Sequence, residues 1–106
     1  MKSLVWNCCG LGIPQAILAI CFLLRQEVPG LLCLIETKSV AHEINSIKWR
    51  LGFSNALCVD CVDRRGGLVV FWNCGVNISI KQYIENFMDM EVEEEREVDR
   101  WRFTLF

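Results

Sequence analysis

The chain has 106 residues, room for one domain, and 53% of them are hydrophobic. A net charge of -2 gives it no overall basic footprint of the kind that binds nucleic acid. The mean hydropathy of +0.30 is high for a soluble domain this small, so apolar surface is expected to pack against something further.

In chain order, Lys2 to Asn7 reads as a first strand. Cys8 to Pro14 is a loop, because Gly10, Gly12 and Pro14 break regular structure. Gln15 to Gln26 reads as a helix, with Ala16, Ile17, Ile20, Leu23 and Leu24 on one face, and Val28-Pro-Gly30 stops it. Leu31 to Ile35 is five apolar residues in a row, the mark of a strand buried on both faces, and Glu36 follows at its exit. A strand, a helix and a strand in succession predict two parallel strands joined by a right-handed crossover.

Ser39 is the expected cap of a second helix, whose stripe runs Val40, Ile44, Ile47, Leu51, with Gly52 ending it. The remainder reads as strands. They are Asn55 to Val59, Gly66 to Trp72, Val76 to Gln82, Phe87 to Glu93 and a last one from Trp101. Val76, Ile78 and Ile80 alternate with Asn77, Ser79 and Lys81, as Met88, Met90 and Val92 do with Asp89, Glu91 and Glu93. Such strands bury one face and wet the other. Glu93 to Glu97 is expected to be a charged hairpin tip.

Seven cysteines fall at 8, 9, 21, 33, 58, 61 and 74. Cys58-Val-Asp-Cys61 has no second C-x-x-C pair, so no zinc site is expected, and the thiols read as reduced and intracellular. Leu4 to Leu24 carries no charge, but Asn7, Gly10, Gly12, Pro14 and Gln15 interrupt it. Its continuous apolar part, Ala16 to Leu24, is short of the roughly 20 residues that span a membrane, so neither leader nor anchor is expected.

Two adjacent parallel strands would bring Asn7 and Glu36 to one sheet edge, strand axes lying about 5 Å apart. An amide oxygen beside a carboxylate suits a hard cation such as Mg²⁺. The same two residues also read as a solvated glutamate and a turn-forming asparagine, and the spacing alone leaves both readings open. Lys38 at the same exit suits a phosphate, or plain solvent.

Several of these stretches also carry a family likeness. They are Trp6-Asn-Cys-Cys-Gly-Leu-Gly12, Leu34-Ile-Glu-Thr-Lys38, Leu51-Gly-Phe53, Arg65-Gly-Gly-Leu-Val-Val-Phe-Trp72 and Trp101-Arg-Phe-Thr104. In order and spacing the chain resembles the N-terminal part of the endonuclease/exonuclease/phosphatase superfamily. Within it, the likeness is greatest to the endonuclease domain of plant LINE-type (non-LTR) retrotransposons.

The resemblance implies an α/β fold in which residues 1–106 form half of a four-layer sandwich, a mixed sheet with two helices on one face. It implies Mg²⁺ held by Asn7 and Glu36, DNA as substrate and phosphodiester hydrolysis as the reaction. Cys9 stands where the family usually has Arg, and Gly30 where an Asp commonly follows Pro29. The family's later Tyr, Asp-x-Asn and Asp-His elements do not occur in these residues. A truncated domain, inactive alone, is therefore expected. Its uncovered sheet face is expected to favour self-association. The competing readings are a non-catalytic α/β interaction module and a small secreted or membrane-attached cysteine-rich protein.

Overall fold

A computed structural model describes residues 2–12, 14–63, 65–84, 87–94 and 100–105. Its elements run β1 (Ser3–Asn7), α1 (Pro14–Glu27), β2 (Leu31–Ile35), α2 (Ala41–Leu51), β3 (Asn55–Val59), β4 (Leu68–Trp72), β5 (Val76–Ile84), β6 (Phe87–Glu94) and β7 (Arg100–Leu105). The first four strands form one sheet in the order β1-β2-β4-β3, and the last three form a second, β5-β6-β7. β1 and β2 are parallel, in register Ser3 to Leu31 through Asn7 to Ile35. β4 runs antiparallel to both β2 and β3.

Three layers follow from where the apolar residues fall. Leu32 and Leu34 of β2, with Val69 and Phe71 of β4, meet Ile17 and Ile20 of α1 and Ile44 and Leu51 of α2. The opposite side chains, Leu31, Cys33, Leu68 and Val70, meet Met88, Met90 and Val92 of β6 and Leu105 of β7. β2 and β4 are covered on both faces, which is why their sequences are unbroken apolar runs. β6 and β7 are covered on one face, so they alternate.

The wet face of the second sheet is charged. Arg102 donates twice to the Asp89 carboxylate, at 3.0 and 2.6 Å. This holds that carboxyl below its usual range, with a Thr104 hydroxyl bond helping. Arg100 reaches Glu91 and Glu93 from the neighbouring strand. Exposed pairs of this kind contribute little each, but they fix which face turns to water.

Three expectations are corrected. The sheet face expected to be open is covered, because β5, β6 and β7 fold back over it as a second sheet instead of extending the first. The radius of gyration of 13.1 Å matches the roughly 13 Å of a compact chain this long. Self-association through that face therefore has no surface to use. Second, Ser39 does not cap α2. Val40 holds the cap position without a side-chain bond. Ser39 is buried and its hydroxyl donates to the Thr37 carbonyl, while Asp60 accepts the Ala41 N–H at 2.8 Å. Third, Glu93 and Glu94 belong to β6, and residues 95–97 of the expected tip lie outside the described residues.

Gly52 ends α2 as expected, with φ 84° and its N–H on the Trp49 carbonyl. Among the described residues, no helix is long and apolar enough to cross a membrane.

Phe71 is fully buried and stacks on Phe53 at 5.6 Å, while Trp49 is 69% exposed. Phe71→Ala is expected to lower unfolding free energy by about 3–5 kcal/mol, and Trp49→Ala by no more than about 0.5 kcal/mol. Urea titration of both variants measures the difference. Equal losses would contradict the layer assignment.

Candidate functional site

The parallel register sets Asn7 opposite Ile35, so Glu36 stands one step beyond it. From there the two chains stay bonded past their strand ends. The Cys8 N–H donates to the Ile35 carbonyl at 3.1 Å, Gly10 to Glu36 at 2.8 Å and Leu11 to Thr37 at 3.0 Å. On the other side Thr37 donates to Gly67 at 3.2 Å and Lys38 to Gly66 at 2.8 Å. The segment after β2 is thus pinned between the segment after β1 and the one before β4.

That pinning holds unusual backbone. Cys9, Glu36 and Lys38 have φ of 50°, 57° and 54°, a left-handed conformation that ordinary L residues avoid. Each costs on the order of 1 kcal/mol and persists only where neighbours over-determine it. Such residues cluster at ligand-binding sites more than elsewhere.

Thr37 sits at the centre with no exposed surface, and its Oγ1 has no hydrogen-bond partner among the described residues. Gly67, φ 93°, lies so close that an added Cβ would collide with this oxygen. Gly66 and Gly67 were expected to begin a strand. Instead both take positive φ, and β4 starts at Leu68. Their role is close backbone approach, for which a paired glycine ahead of an apolar run is the available sequence signal.

Asn7, Glu36 and Lys38 are all exposed. The Asn7 Oδ1 accepts the Cys9 N–H at 3.1 Å and the Cys9 thiol at 3.3 Å. The Glu36 carboxylate has neither ion pair nor hydrogen bond among the described residues. The Lys38 side chain passes Gly10, 3.5 Å from where a Cβ there would lie. The structure thus brings all three residues to one end of the sheet. His42 is exposed on the first turn of α2.

The donor set at this end is hard and small: one amide oxygen and one carboxylate. Among the described residues no group of three His, Cys, Asp or Glu could hold a metal. Two protein oxygens, with water filling the rest, fit Mg²⁺, which keeps much of its hydration shell. They do not suit zinc, which takes three or four nitrogen or sulfur ligands.

The thiols divide by environment. Cys8 is buried in the helix-side core and its thiol donates to the carbonyls of Ile35 and Glu36. Burial pushes its pKa up. Burial likewise takes Cys33 up to about 12. Cys58 also rises to about 12, through burial and then the Asp60 carboxylate beside it. Cys9 and Cys74 are exposed.

Gly67→Ala is expected to destabilise the chain by about 2 kcal/mol or more, combining positive-φ strain with the collision. A variant as stable as the parent in urea would contradict the Thr37 packing. Because folding raises the Cys33 and Cys58 pKa values, the thiol form is favoured in the native state. That stabilisation is whole below a pH of about 9 and is lost as pH rises toward 12. The melting temperature should therefore fall above pH 9. At pH 8, Ellman's reagent should modify Cys9 and Cys74 in the native protein, and Cys8, Cys33 and Cys58 only on unfolding.

No protein-family model matches the chain, and no curated protein matches it.

Proposed function

We propose that these residues are the N-terminal part of a metal-dependent phosphodiesterase domain of the endonuclease/exonuclease/phosphatase type, akin to the DNA endonuclease of LINE-type retrotransposons. The observation that carries the reading is the bonded pair of strand exits. It sets Asn7 and Glu36, the residues matching the family's two N-terminal metal positions, at one end of adjacent parallel strands. The strained backbone at Glu36 and Lys38 supports it, as does a second sheet packed face to face on the first.

In this reading Asn7 and Glu36 hold Mg²⁺ through their side-chain oxygens, the Cys9 thiol turning away to free the second lone pair of the Asn7 oxygen. The bound ion would supply Lewis-acid stabilisation of charge on a phosphoryl oxygen. The chain's own residues orient the ligands. The Cys9 N–H fixes the Asn7 amide oxygen, and the pinned backbone fixes where the Glu36 side chain leaves the sheet. The Lys38 ammonium is free to meet a phosphate of the DNA backbone.

A base to activate water and a donor for the leaving oxygen are needed in the same place. The one histidine, His42, lies on α2, and the family's Asp-x-Asn and Asp-His elements are not among these 106 residues. By themselves the 106 residues should hold a metal weakly and hydrolyse little.

The exposure of Leu18, Phe22 and Trp49 on the helix layer favours a second reading, a non-catalytic interaction module. Metal binding separates the two. Mn²⁺ added to labelled protein should broaden amide resonances of residues 7–10 and 35–38, with affinity on the order of 1 mM. Glu36→Ala should abolish this without changing the melt. Broadening that is absent, or unchanged in the variant, rejects the metal site. In a plasmid-nicking assay with Mg²⁺, the parent chain should match Glu36→Ala. Nicking lost in the variant would mean that these residues suffice for catalysis.

A further inference from the structure

Asn7 ends β1 with an exposed side chain whose Oδ1 already accepts two hydrogen bonds. One comes from the Cys9 N–H at 3.1 Å and one from the Cys9 thiol at 3.3 Å. An amide oxygen has two lone pairs, so both are taken. The amide nitrogen of the same side chain only donates and cannot ligate a cation.

The two bonds differ in kind. The N–H belongs to the backbone at residue 9, where φ is 50°, and no side-chain rotation releases it. The thiol hangs on a single rotatable bond at an exposed residue, so it has solvent to turn into. It is also the weaker donor. The neighbouring thiol plays no part, because Cys8 is buried with its sulfur on the carbonyls of Ile35 and Glu36. The contact lies wholly within residues 7–9, so it does not depend on what else adjoins this end of the sheet.

We infer that Cys9 is a positioning residue whose thiol competes with the cation for the Asn7 oxygen, so that residue 9 sets metal affinity from outside the ligand set. The inference rests on Asn7 and Glu36 being metal ligands. A cation reaches Asn7 only in molecules whose thiol has turned away, and the smaller that fraction, the weaker the apparent affinity. By linkage the bound cation holds the thiol away in turn. The thiol keeps its proton in both arrangements, so no ionisation enters. The sign separates a competitor from a ligand: removing a ligating sulfur weakens binding, whereas removing a competing one tightens it.

Mn²⁺ titration of labelled protein in deoxygenated buffer, read by broadening of the amides of residues 35–38, gives the dissociation constant without an activity assay. Cys9→Ala should tighten binding roughly two- to fivefold, the worth of one neutral hydrogen bond. Cys9→Ser, which returns a donor, should bind less tightly than Cys9→Ala. In the parent chain Mg²⁺ should shift the Hα–Hβ couplings of Cys9, which report its side-chain rotamer, and Glu36→Ala should suppress that shift. Three results overturn the inference while leaving the metal site standing, each in a parent chain that binds Mn²⁺. They are a Cys9→Ala variant that binds no more tightly than the parent, a Cys9→Ser variant as tight as Cys9→Ala, and Cys9 couplings indifferent to Mg²⁺. Broadening absent from the parent and both Cys9 variants overturns the metal site and the inference together.

Discussion

Burial of β2 and β4 on both faces is the constraint on which the other features depend. Leu31 to Leu34 and Leu68 to Phe71 are each at most 3% exposed, with helices on one side and a sheet on the other. A one-residue slip in either strand would exchange its two sets of side chains, and each set is shaped to a different partner. Register is therefore fixed, and with it the point at which the chain leaves β2. Glu36 is the first exposed residue after this run, where the chain leaves β2.

The strand exits inherit this rigidity. Thr37 is as buried as the strand before it, although it belongs to no strand. Its neighbours hold it by backbone bonds from both sides, at the expense of left-handed geometry at Glu36 and Lys38. Exposed side chains on a clamped backbone are pre-organised for a ligand, because little freedom remains to be lost on binding. In the proposed reading, the Asn7 and Glu36 oxygens would hold an ion and the Lys38 ammonium would meet a phosphate, while a base for water and a donor for the leaving oxygen would be further groups.

Much of the fold was legible in the sequence, for reasons that differ by element. The apolar run Leu31 to Ile35 and the alternation Met88, Met90, Val92 each reflect how many faces are covered, so strand type could be read from period. Gly52 was legible as a helix stop because the left-handed cap selects glycine. The partner of each face was not legible. Alternation in β5 and β6 says that one side is buried but not against what, and the second sheet closing over the first was missed for that reason. Ser39 misled because cap preference is local, whereas burial turned its hydroxyl toward Thr37 and left Asp60, distant in sequence, to take the Ala41 N–H. Of the site, the parallel pairing that puts Asn7 and Glu36 at the same end of adjacent strands followed from the strand–helix–strand order. The Thr37–Gly67 contact did not, since it joins segments 30 residues apart without any charge or periodic signal.

Amide hydrogen exchange at the strand exits tests the central claim most directly. If the exits are locked by the doubly covered strands, the N–H groups of Gly10, Leu11, Thr37 and Lys38 should exchange nearly as slowly as those within β2 and β4. Exchange at rates typical of open loops, with β2 and β4 still protected, would show that Asn7 and Glu36 are not held together and would contradict the account.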